Sequence, residues 1–190
     1  MRTLTRIPTL VLVSALAAGC GDASRPTAPT SDVSLARQSA GGSERLVTMM
    51  DACDPTTFNL ALNDPTACIR NGGVTFAHFI AQLEKHGRAG AWHNAPSKMN
   101  VRVGQTLVAR NHGGEVHTFT EVEEFGGGFV AELNALAGTP EPAPECLALG
   151  GDDFVPPGGT YLDDVDEPGT ELYQCCIHPW MRTTVHARSH

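Results

Sequence analysis

The chain has 190 residues, 41% of them hydrophobic, and a formal charge of −8 at neutral pH, a size that suits one modest domain with extensions and a composition that allows a packed core. Its acidity excludes a general nucleic-acid binder, the absence of a long unbroken apolar run excludes a membrane-spanning helix, and the absence of heptads excludes a long coiled coil. With 20 Gly and 13 Pro, the composition favours a turn-rich, largely β fold.

The N-terminus reads as an address. Arg2 and Arg6 form a positive start, Thr9 to Ala18 an apolar stretch, and small residues then lead to Cys20. Leu16-Ala17-Ala18-Gly19-Cys20 resembles a bacterial lipobox, with Leu16 one step further from the Cys than usual. Residues 1–19 are thus expected to be a signal peptide and Cys20 a lipidated residue; plain secretion with a stray Cys is the alternative. The chain would be exported, periplasmic or cell-surface, and anchored to a bacterial membrane through its lipid. Loss of the segment removes Arg2 and Arg6 and takes the formal charge from −8 to −10. Residues 20–43, rich in Ala, Ser, Thr and Pro, read as a flexible tether reaching roughly 25–30 Å.

Six cysteines stand at positions 20, 53, 68, 146, 175 and 176. Export to an oxidising compartment makes an unpaired thiol require an explanation. With Cys20 lipidated, an odd number remains. Cys53 and Cys68 bracket a short polar loop and form the simplest local bridge. Cys146 then pairs with Cys175 or with Cys176, and the other stays free; the spacing leaves both open.

Residues 45–73 carry few periodic signals. Val74 to His86 reads as an amphipathic helix, with Phe76, Phe79, Ile80 and Leu83 on one face and Gly87 at its end. His78 and His86 lie on the other face as solvated residues. From Pro96 the period becomes two: Met99, Val101 and Val103 alternate with polar residues. Further strands are expected at Thr106–Asn111, Val116–Val122, Tyr161–Val165, Glu171–Cys175 and Thr183–Ala187, and residues 125–157 as a long irregular insert. Repeated short strands between turn signals point to a β-sandwich or barrel.

The chemistry concentrates in Cys175-Cys176-Ile177-His178-Pro179-Trp180-Met181. A thiolate, an imidazole and a thioether this close suit copper, and also zinc; two His and a Cys with a weak axial Met make a blue-copper centre. The second His must come from another strand.

The segment Pro168-Gly169-Thr170-Glu171-Leu172-Tyr173-Gln174-Cys175-Cys176-Ile177-His178-Pro179-Trp180-Met181-Arg182 resembles the copper loop of the cupredoxins, in particular the amicyanin-like and plastocyanin-like group. Asn111 to His117 has the spacing of that family's Asn and first His ligand, and Val101-Arg102-Val103-Gly104-Gln105-Thr106 resembles its strand and turn. The resemblance covers about residues 92–188. It implies an all-β, Greek-key β-sandwich at 92–190; the small helical, disulfide-containing extension expected at 44–91 and the long insert at 125–157 depart from the family's pattern. It implies one type 1 copper ion held by His117, Cys175, His178 and Met181, with Asn111 behind them clamping the two ligand loops together. With Cys175 taken as the ligand, Cys176 is left to bridge Cys146. Trp180 stands where a smaller aromatic is common and would shield the copper edge.

The expected function is single-electron transfer between redox partners in the cell envelope, by a carrier rather than an enzyme. The His178 ring, backed by Pro179 and Trp180, is the expected electron exit. A basic partner such as a c-type cytochrome or an oxidoreductase is implied by the net charge, with no nucleic acid, and the chain is expected to be a monomer. The alternatives are a copper storage, delivery or sensing module, and a metal-free structural sandwich in which all late cysteines bridge. His112, His93, His186 and His190 are expected to be exposed.

Overall fold

A computed structural model describes residues 43–190. The expected signal peptide, lipidated Cys20 and all but the last residue of the tether lie outside the described residues. Strands β1 (Arg45–Met50), β2 (His93–Ala95), β4 (Thr106–Asn111) and β8 (Thr160–Asp164) form one sheet in the order β2-β1-β4-β8. Strands β3 (Lys98–Arg102), β6 (Thr120–Val122), β9 (Gly169–Gln174) and β10 (Arg182–Arg188) form a second in the order β3-β10-β9-β6. A third, short pairing joins β5 (His117–Thr118) to β7 (Phe154–Val155). The chain is mostly β and the two four-stranded sheets form a sandwich. Val47, Met49, Leu107 and Ala109 of the first sheet meet Met99, Val101, Tyr173, Val185 and Ala187 of the second in one buried cluster.

Helix α1 spans Pro55–Leu62, α2 Phe76–His86 and α3 Ala131–Ala137. Among the described residues no helix is long and apolar enough to cross a membrane. Helix α2 has the expected apolar face. Its start shifts from Val74 to Phe76 because the Thr75 hydroxyl accepts the His78 N–H at 3.3 Å, a cap that fixes where the turns begin. Gly87 ends it in the left-handed conformation, φ 66°. Phe79 and Leu83 go into the core, an upper estimate of about 1.5–3 kcal/mol each.

Three expectations need correction. Residues 44–91 are not an extension outside the sandwich: β1 lies inside the first sheet, parallel to β4 from Arg45↔Leu107 to Met49↔Asn111 and antiparallel to β2. Buried Val47 and Met49 earn it that central place. The strand expected at Val116–Val122 is two strands broken at buried Phe119, because β5 pairs with β7 while β6 joins β9 in the second sheet. The 125–157 insert is not wholly irregular, since it carries α3, two short 3-10 turns and β7.

Candidate metal centre

Cys175 directly follows β9. Its thiol is free and its side chain is 0% exposed. Nδ1 of His117 lies 3.8 Å from its sulfur, and Nδ1 of His178 lies 3.8 Å from it on another side. All three ligand atoms fall within 4.8 Å of one another in buried surroundings. Metal bonds of about 2.3 Å to sulfur and about 2.0–2.1 Å to nitrogen, set at a trigonal angle, separate S and N by about 3.8 Å. One thiolate and two imidazoles at that spacing fit a borderline-to-soft ion, copper or zinc.

The electrostatics prepare the donors. Burial opposes ionisation of Cys175, but its contacts with His117 and His178 outweigh burial and hold the thiol well below its ordinary value. Burial also works against charge on His117, but its contacts with Asp51 and Cys175 raise it to about 9. Without metal, this is a thiolate facing an imidazolium.

The two ligand segments are tied by Thr118. Its N–H points at the Cys175 sulfur at 3.4 Å, and its hydroxyl accepts the Cys176 N–H at 2.8 Å. The ligand loop closes on itself: Cys175 N–H donates to the Met181 carbonyl at 3.0 Å and Met181 N–H to the His178 carbonyl at 2.9 Å. Met181 is buried in the same cluster as Cys175. Arg182 holds the loop from outside, donating to the Pro179 carbonyl at 2.7 Å and lying over the Phe125 ring at 4.7 Å. The disulfides are Cys53–Cys68 and Cys146–Cys176, so the arrangement in which all late cysteines bridge is not present. The second bridge pins the insert to the residue beside Cys175. The insert approaches so closely that a Cβ on Gly128 would overlap the Cys176 carbonyl.

Asn111 is fully buried but does not clamp the two ligand loops. Its amide donates to the Glu115 carbonyl at 2.7 Å and the Val155 carbonyl at 2.8 Å, and its oxygen accepts the Gly113 N–H at 2.8 Å. It shapes the loop before His117 and ties that loop to β7; the cross-link between ligand segments belongs to Thr118.

The sequence reading did not find Asp51. Its carboxylate lies 2.9 Å from Nε2 of His117 and accepts the N–H groups of Gly114 at 2.9 Å and Glu115 at 3.0 Å. Burial would raise its pKa, but His117 and the two amides outweigh burial and lower it. A proton on Nε2 leaves the Nδ1 lone pair free toward Cys175, so Asp51 selects the tautomer a metal needs. Position alone identifies it: the residue after β1 meets the loop after β4 because the two strands run parallel. Asp51 and Glu115 also approach Cys53, whose sulfur is taken by its bridge to Cys68.

His178 is not at an open edge. It is 2% exposed, with the rings of Trp180 at 5.5 Å, Phe79 at 6.3 Å and Trp92 at 6.5 Å. Its Nε2 faces the Glu115 carboxyl at 3.7 Å, and Trp92 donates its indole N–H to that same carboxyl at 2.5 Å. Burial raises the pKa of Glu115 despite His178 and Trp92. Phe79 of the 44–91 segment thus joins Trp92 and Trp180 in roofing the ring expected to be the electron exit. His112, His93, His186 and His190 are exposed, as expected.

No family model matches the chain, and no curated protein matches its sequence. Among solved structures it is similar to a purple cupredoxin from Nitrosopumilus maritimus, at 13% identity and a TM-score of 0.42 over 75% of this chain and 98% of that one. It is similar to a mutant amicyanin in its Cu(I) form, at 22% identity and a TM-score of 0.35 over 53% of this chain and 76% of that one. It is similar to the oxidised plastocyanin of Dryopteris crassirhizoma, at 18% identity and a TM-score of 0.35 over 51% of this chain and 89% of that one.

Proposed function

We propose that this chain is a cupredoxin-type electron carrier with one type 1 copper held by His117, Cys175 and His178 and by the weaker thioether of Met181. The observation that carries the reading is the buried free thiol of Cys175 with the Nδ1 atoms of His117 and His178 each 3.8 Å away. Copper, when bound, supplies a one-electron couple between Cu(II) and Cu(I). The protein's part is to keep its donors still across both states. Thr118 fixes the sulfur, Asp51 fixes His117, and the Trp92–Glu115 pair and the aromatic roof fix His178. Water is excluded by the same packing, which keeps the thiolate from oxidation and side reactions. The reading goes with export on residues 1–19, a lipid on Cys20, life in the cell envelope as a monomer, and a basic redox partner.

The test is the visible spectrum after one equivalent of Cu(II) is added to the purified chain. An intense charge-transfer band in the red, bleached by ascorbate and restored by oxidant, is expected. A colourless product would overturn the reading, because it would mean that Cys175 does not bind copper.

A further inference from the structure

We propose that the protein docks its redox partner on an exposed aromatic pair, Phe129 and Phe154, on the cysteine side of the centre. The partner this face fits is a basic redox protein, apolar at the middle of its contact face and cationic at the rim. The inference rests on the electron-carrier reading above and names the surface that reading requires.

The His178 end is covered by the rings of Trp180, Phe79 and Trp92, and the cysteine side offers further short ways out of the site. Two lead from the Cys175 sulfur to the same patch. The first is covalent to Cys176, whose carbonyl accepts the Phe129 N–H at 2.9 Å. The second crosses the Thr118 N–H at 3.4 Å, and Thr118 is the strand partner of Phe154. The two rings stand 6.0 Å apart at 63°, with Phe129 43% and Phe154 36% exposed. A surface-exposed pair of large aromatics is the type of anchor that interfaces use.

Charge picks the partner. Fourteen of the 21 acidic residues, and no Lys or Arg, lie between Arg110 and Arg182. Exposed Glu132 and Asp152 flank the pair in sequence, and Asp153 precedes Phe154. Acidic side chains this close in the chain to the pair, with no Lys or Arg among them, draw a cationic partner in and repel an acidic one, an effect that salt weakens. With copper bound, the centre would supply one electron, Cu(I) becoming Cu(II), to a ferric haem in the partner. No bond forms or breaks and no proton moves.

The test maps docking without relying on copper. The 15N-labelled, metal-free full chain is titrated with a basic c-type cytochrome at low salt. Amide shifts centred on Phe129–Glu132 and Asp152–Phe154, fading as salt is added, are expected. Phe129→Ala and, separately, Asp152→Lys should weaken binding by about tenfold, the effect of one interface anchor or one charge reversal. In the copper-loaded chain Phe129→Ala should slow exchange with the same cytochrome while leaving the visible spectrum unchanged. Shifts centred on Trp180 and α2, or on Leu60 and Leu62 of α1, or no binding at low salt, would overturn the proposal. A chain that forms no coloured centre fails the carrier reading instead, and the docking map still stands as a separate result.

Discussion

The Asp51 carboxylate lies 2.9 Å from Nε2 of His117, so a charge from the end of β1 rests behind one of the two imidazoles that face Cys175. Removing that charge while keeping the acceptor isolates its effect. Asp51→Asn should weaken copper binding about 10–100-fold, the usual cost of losing a ligand's outer partner. It should also raise the reduction potential, because the carboxylate favours Cu(II) over Cu(I). Competition titration and voltammetry check both; an unchanged potential would mean that the carboxylate does not act on the metal.

Cys175→Ser should abolish the red band and leave the fold and both disulfides in place, since the Cys53–Cys68 and Cys146–Cys176 bridges do not involve it. Circular dichroism and the mass of the alkylated peptide read fold and bridging. In the unaltered protein, alkylation without reduction should label Cys175 once the chain is opened, and no other cysteine between 53 and 176.

Metal uptake should release a proton. The metal-free pair is a thiolate beside an imidazolium, with His117 raised to about 9 and Cys175 held well below its usual value. Below about pH 9 each copper should displace one proton from that pair, and above it none. Calorimetry in buffers of different ionisation enthalpy measures the count. An ultraviolet thiolate band at neutral pH, lost in Cys175→Ser, checks the starting state.

Asp51 sets an acid limb. Its pKa is lower in the folded than in the unfolded chain, so its stabilisation is full above the ordinary value of 3.8 and is lost as pH falls through the depressed one. Asp51→Asn should flatten that part of the stability curve, as read by denaturant unfolding at a series of acid pH values.

Gly128→Ala should cost about 1–3 kcal/mol or more, because its Cβ has no space beside the Cys176 carbonyl. The copper spectrum should shift as well, since the displaced backbone is one residue from the ligand. A thermal melt and a spectrum on the same sample separate the two effects.

The three side chains that the structure brings together could be read from the sequence because His178 sits on one short loop with Cys175, and His117 carries a local mark, the Asn111 spacing. Asp51 carries none: it meets His117 only through the parallel pairing of β1 with β4, a contact between residues 66 apart. Strand β1 was hidden for a related reason. Its buried Val47 and Met49 alternate, but exposed Leu46 on the outer face blurs the pattern over six residues. Helix α1 has its start signal in Asp54-Pro55, yet buries only Phe58 and leaves Leu60 and Leu62 outside, so no apolar stripe shows. The roof over His178 was out of reach because Phe79 of α2 and Trp92, just before β2, meet at His178 only in the fold.

Cys175 and Cys176 are neighbours in the chain but belong to different buried clusters, Cys175 to the one between the sheets and Cys176 to the one with Cys146 beneath the insert. Just past the end of β9 the chain sends the two side chains into different surroundings, and that sorts two chemically identical thiols. An unfolded chain has no means of telling them apart. The fold distinguishes them, placing Cys175 beside His117 and His178 and Cys176 against Cys146. The adjacency of the two residues makes correct bridging depend on the fold, since a bridge from Cys146 to Cys175 instead would take the thiol on which the site rests.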